Sequence, residues 1–254
     1  MLRNKVRLVL MAAAVCAIGN ATPVVFSGSS GELSASVSFD IIGGNLVANL
    51  SNTSDSDVLV PADVLTGVFF DITGDPLLTR VSAQVADGSS VLFGTTDPTW
   101  GVGGEWAYSN ALVGAPGGAT QGISSSGLNL FGPAQLFAAA NLQGPESPDG
   151  LQYGITSAGD NPATGNTPVT GANALTKSAV DFVLGGLPSN FSLASISNVS
   201  FQYGTALSEP SFPGTPGGEV PEPSTVVLFA TGIGLILAKR VHSGSRKRKT
   251  ANQI

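Results

Sequence analysis

From residue 33 to residue 41 apolar and polar side chains alternate without a break. Leu33, Ala35, Val37, Phe39 and Ile41 stand against Ser34, Ser36, Ser38 and Asp40. A period of two puts successive side chains on opposite faces of a pleated strand, so one face is left for a core. Gly43-Gly44-Asn45 supplies a tight turn and residues 46–51 alternate again, which predicts a β-hairpin. Further strand candidates are 66–73, 78–86, 90–94, 105–109, 151–156, 179–184 and 196–205, divided by Gly, Pro, Asn and Asp clusters that favour turns. One stretch departs from this pattern: 134–142 (AQLFAAANL), after Gly132-Pro133, predicts a short helix with Pro in its first turn. Many short strands without a fixed repeat predict an all-β, β-sandwich-like single domain over residues 22–207. Residues 114–127 and 160–173, rich in Gly, Ser, Asn and Pro, predict long surface loops. Residues 208–219 (SEPSFPGTPGGE) predict an extended Pro/Gly linker.

The two ends read differently from this body. Arg3, Lys5 and Arg7 precede an apolar run over 8–18, and Gly19-Asn20-Ala21 offers small residues for cleavage. That order predicts a signal peptide over 1–21, cut after Ala21 by signal peptidase. The lone cysteine, Cys16, falls inside it. Near the other end stand Pro221-Glu222-Pro223, an uncharged run over 224–238, and the basic residues Lys239, Arg240, Arg246, Lys247, Arg248 and Lys249. Fifteen helical residues cover roughly 22 Å, short of a bilayer core of about 30 Å. Lys239 and Arg240 can snorkel and Val241 can extend the helix, so the predicted membrane span is 224–241. The positive-inside rule puts the basic residues in the cytoplasm and the body across the membrane.

Charge is distributed unevenly. Of the 11 basic residues only Arg80 and Lys177 lie in the body, against sixteen of the 17 acids, a net charge of −14 there. Such a body repels nucleic acid and anionic lipid. The one histidine, His242, lies among the basic residues near the end. The body therefore holds no residues for Ser-His-Asp, Cys-His or His-ligated metal chemistry. Carboxylate chemistry survives this filter, since a glycosidase needs only two acids about 5–10 Å apart, but no pair stands out in the sequence. The aromatic segment Trp100, Glu105, Trp106 and Tyr108 is a candidate ligand-binding patch, with Trp106 and Tyr108 on one strand face and Glu105 on the other. Packing of the same aromatics in the core is the alternative. Asp55 and Asp57, in a turn-rich SNTSDSD stretch, are calcium candidates, with a solvated turn as the alternative; no other cofactor is expected.

The Pro221-Glu222-Pro223 box, the apolar run and the basic cluster, in that order, resemble the PEP-CTERM sorting signal of Gram-negative surface proteins, the substrates of exosortases. The signal would occupy 220–249, and residues 196–205 and 208–213 are also similar to the segment that often precedes it. The tail runs longer than is usual, to a second basic cluster. The resemblance implies a membrane-held intermediate, recognition of the box by an exosortase-type sorting enzyme, removal of the tail, and delivery to the cell surface or extracellular matrix. Three readings of the body stay open beside it: a structural or interaction protein without catalysis, a glycan-binding module with or without calcium, and a carboxylate hydrolase. Ice binding wants a regular Thr array, which the scattered threonines do not form.

Overall fold

The computed structural model describes residues 22–144 and 148–217. The strands in chain order are β1 (Val24–Ser30), β2 (Leu33–Ile42), β3 (Asn45–Asn52), β4 (Leu65–Ile72), β5 (Thr79–Val85), β6 (Ser90–Leu92), β7 (Ala107–Ser109), β8 (Gln121–Ser124), β9 (Ile155–Thr156), β10 (Leu175–Lys177), β11 (Ala179–Gly185), β12 (Ile196–Tyr203), β13 (Ser211–Pro213) and β14 (Thr215–Pro216). No α-helix occurs among the described residues. The signal peptide, the Pro-Glu-Pro box, the 224–241 span and the basic cluster lie outside them.

Two sheets form. One has the order β14-β1-β2-β3-β11-β5, and the other β13-β12-β4-β9-β10-β6, with β8 on β4 and β7 on β8. The predicted hairpin is present, with Val37 opposite Leu50 and Phe39 opposite Ala48. Its apolar side chains point at the second sheet, where Phe39 meets Phe70 edge-on at 5.2 Å between ring centroids. Phe182 on β11 likewise takes Trp106 at 4.9 Å and Phe137 at 5.6 Å. The architecture is therefore all-β and sandwich-like, as the alternation predicts.

β4 is covered on both faces. Val68, Phe70 and Ile72 face the core between the sheets, whereas Phe69 faces a second cluster with Leu112, Ala115, Ala119 and Phe131. The segment 114–127 thus departs from the predicted surface loop. It contributes β8, which pairs antiparallel with Gly67–Phe70 of β4, and it folds over the outer face of the sheet. Its small residues let the backbone lie close to the aromatic rings beneath. Segment 160–173 is a loop of turns, as predicted.

The helix predicted at 134–142 does not form. Only a single 3-10 turn, Pro133–Gln135, is present, closed by Gln135 Oε1 accepting from Gly132 N at 2.8 Å. Phe137 N then donates to Trp106 O at 2.9 Å and Leu136 bridges Ala107, after which the chain bends at Ala138 and Ala139 instead of coiling. Tertiary pairing overrides alanine's helical preference here. Three strand candidates also shrink: 90–94 to Ser90–Leu92, 105–109 to Ala107–Ser109, and 151–156 to Ile155–Thr156.

The predicted linker is part of the fold. β13 pairs with β12 and β14 pairs with β1, so residues 211–216 strap one sheet to the other. Phe212, 5 % exposed, stacks on Tyr203 at 5.6 Å and meets Phe201 at 5.9 Å. The strap crosses β1 at Gly28, where any Cβ would strike Pro213 O. Pro is tolerated because these are edge strands, which leave one side of the backbone unpaired. We expect Phe212→Ala to lower the unfolding free energy by about 3–5 kcal/mol, read from the urea midpoint. An effect under about 1 kcal/mol would mean that the strap is dispensable.

Candidate functional site

The structure divides the predicted aromatic patch. Trp106 is fully buried, packed on Phe182, with Nε1 donating to Tyr153 O at 3.1 Å. Tyr108 is buried too, its hydroxyl donating to Gln121 Oε1 at 2.9 Å. They do share a face, but it is the face of the core. Glu105 is 1 % exposed and its Oε1 accepts from Leu142 N at 2.6 Å and Gln143 N at 2.9 Å. Burial, with the charge of Asp149 as a smaller cause, holds its carboxyl above the usual range, while the two backbone bonds pull the other way. These three residues are corrected from ligand-binding candidates to core and loop-clamping groups, because Trp106 and Tyr108 pack into the core between the sheets and Glu105 is closed over by the backbone of Leu142 and Gln143.

The calcium candidates are placed as follows. Asp57 is already engaged: Oδ1 accepts from Asn161 N at 2.8 Å and Oδ2 from the Thr164 hydroxyl. Those bonds hold its carboxyl below the usual range. Asp55 is exposed, and among the described residues no group of three or more His, Cys, Asp or Glu comes together as a metal site. Ala21, Pro221, Glu222, Pro223 and the basic residues from Lys239 to Lys249 lie outside the described residues.

Trp100 alone of the patch reaches solvent, at 59 % exposure. It sits on the loop that follows β6 and returns to the free edge of β5. That edge is closed by backbone: Val85 N donates to Trp100 O at 3.0 Å and Val102 N to Ala83 O at 2.9 Å. Asp97 shapes the loop. Its Oδ1 accepts from Thr99 N at 2.9 Å, Thr99 Oγ1 at 2.6 Å and Gly101 N at 2.7 Å. A Cβ at Gly101 would overlap this carboxylate, so the clamp keeps this form only with glycine there. The bond from Thr99, reinforced by Gly101, holds the Asp97 carboxyl below its ordinary value near 3.8.

The Trp100 backbone is left-handed, with φ at +62°. For a bulky L-residue this conformation is a true outlier and costs about 1–2 kcal/mol. Four large apolar or aromatic residues share it: Phe93, Trp100, Leu128 and Tyr153. Leu128 and Tyr153 are buried, so packing accounts for them, but Phe93 and Trp100 are exposed and lie on one loop. Strain that persists at an exposed aromatic is the kind found at ligand clamps.

Beside Trp100 lies an open groove of about 380 Å³, lined by Gln84, Asp87, Ser89 and Thr99 among others. It occupies the seam where the chain passes from β5 in one sheet to β6 in the other. Ser89 Oγ is committed to Ala179 N at 3.1 Å and Thr99 Oγ1 to Asp97, whereas Gln84 and Asp87 present exposed polar ends. Asp97, Gln84 and Asp87 are absent from the sequence-predicted site. The Asp97-Pro98-Thr99 triplet carried a readable signal, an Asx turn before an aromatic; nothing local announces Gln84 and Asp87, which arrive from the neighbouring strand.

We expect Trp100→Gly to leave thermal stability unchanged or raise it by at most about 1 kcal/mol, because glycine relieves the left-handed strain. A loss larger than that would make the ring a structural prop. The Asp97 clamp also sets a pH dependence. Its folded carboxyl releases the proton more readily than the unfolded one, so the stabilisation is present above pH 3.8 and lost as pH falls through the lower folded value. Trp100 emission should stay flat down to about pH 4 and change below it. No protein family matches the chain, and no curated protein or solved structure is similar to it.

Proposed function

We propose that this chain is an exported surface or matrix protein, carried as a transient membrane intermediate by its Pro221-Glu222-Pro223 signal and released by an exosortase-type enzyme. Its β-rich body has a binding or structural task and no catalytic step. One observation carries this reading: the ordered series of box, uncharged run and basic cluster begins four residues after Gly217, the last described residue of the sandwich.

The position of the strap supports it. Thr215–Pro216 is still paired with β1, so at most a few residues separate the folded body from the box. At about 3.3–3.6 Å per extended residue, four residues reach roughly 14 Å. The body would therefore stand close to the membrane face at which the box is read. The prolines of the box suit such a site, since they keep the chain extended and stop the membrane helix from propagating upstream. The acidic body suits it too, being repelled by anionic headgroups rather than adsorbed to them.

Glu222→Ala is expected to leave a full-length precursor in the inner-membrane fraction, with little material at the surface, scored by immunoblotting of fractionated cells. Surface delivery at the wild-type level would overturn the sorting assignment while leaving the fold untouched.

A further inference from the structure

We propose that the groove beside Trp100 binds a neutral polysaccharide, with the indole as its stacking platform. The proposal rests on the exported reading only for where the protein meets its ligand, and binding by purified protein is scored independently of sorting.

The indole is mostly exposed, although the same chain buries its other tryptophan completely. The backbone that carries it is fixed: Asp97 closes the loop through three hydrogen bonds, and Trp100 O and Val102 N pair with β5. A platform fixed in this way loses little conformational entropy on binding. A sugar ring presents an apolar C–H face and a rim of hydroxyls. The indole face matches the first, while the Asp87 carboxylate and the Gln84 amide match the second. The groove is open at the surface and lies along the seam between the sheets, which fits a chain laid across it rather than a small molecule enclosed by it.

Charge selects among glycans. The body carries −14 and the groove itself holds Asp87, so a polyanionic chain is repelled. A quaternary ammonium would instead want several aromatic faces around one cation. The groove offers only Trp100, which favours a neutral, hydroxyl-rich ligand.

The test uses the full chain purified in detergent, titrated with cellohexaose, chitohexaose, mannohexaose, oligogalacturonate and tetramethylammonium by calorimetry, with tryptophan emission followed as well in the wild type. Trp106 is buried and serves as the constant background. The expected result is saturable binding of at least one neutral hexasaccharide, with a shift in emission. Binding should weaken at least tenfold in Trp100→Gly, which suits the left-handed backbone and keeps the melting temperature. It should weaken less in Trp100→Phe, which keeps an aromatic face, and should fall severalfold in Asp87→Ala, which lies outside the Asp97 clamp. No neutral hexasaccharide bound at millimolar concentration, equal binding by wild type and Trp100→Gly, or binding of the anion or ammonium alone would each overturn it.

Discussion

The double burial of β4 governs most of this structure. A strand whose alternate side chains are both apolar, Phe70 toward one cluster and Phe69 toward the other, cannot have a solvent face. The sandwich partner covers one side through Phe39. The other side has to be covered by chain that is neither a sheet nor a helix of its own, and residues 110–136 do this with β8 and a run of small residues. On β7, Ala107 lies beneath that cover, while its neighbours Trp106 and Tyr108 point the other way, into the core between the sheets. Trp100 stays exposed on the loop that returns to the edge of β5.

The acidity of the body has a local use. With only Arg80 and Lys177 as body cations, sixteen acids cannot be balanced by ion pairs. Many are instead acceptors for loop backbone. Asp63 takes Leu59 N and Val60 N, Glu209 takes Thr205 N and Ala206 N, Asp71 takes Thr120 N, and Asp57, Asp97 and Glu105 act in the same way. A carboxylate accepting from backbone N–H is a charge-assisted bond, stronger than a neutral one. The two cations mirror this arrangement. Arg80 donates to the carbonyls of Leu136, Ala134 and Tyr108, and Lys177 to that of Asp160. Loops on every side of the sandwich are held by these clamps. The negative field is thus first a by-product of loop building, and only then a filter on ligands.

How much of this was readable depended on the scale of the interaction. The hairpin of β2 and β3 was plain, because its alternation and its Gly-Gly-Asn turn are local. β8 and β13 were not. Gln121–Ser124 has no apolar alternation of its own, and it becomes a strand because β4 offers an unsatisfied edge. Ser211–Pro213 reads as a linker by its prolines, and only Phe212, in a pocket made by Phe201 and Tyr203, fixes it in the core. The alanines after Gln135 look helical for the same reason in reverse, since their propensity is intrinsic while the pairing with Trp106 that overrides it lies some thirty residues away in sequence. Of the aromatic site, local sequence supplied the residue types but not their depth. Glu105 to Tyr108 and Trp100 differ in environment, not in chemistry.

That difference in depth separates a structural aromatic from a functional one. Phe69, Trp106, Tyr108 and Tyr153 each repay their burial with ring contacts or a hydrogen bond to a named partner. Trp100 receives neither full burial nor a relaxed backbone, and the groups around it, Asp97 and Gly101, keep it in place rather than cover it. A chain under selection for stability alone would place glycine or asparagine at a left-handed position on an open loop. Retaining an indole there costs folding free energy and exposes apolar surface beside a polar groove. The physical account that balances both costs is an interaction made outside the fold, by a ligand with one apolar face and a hydroxylated rim.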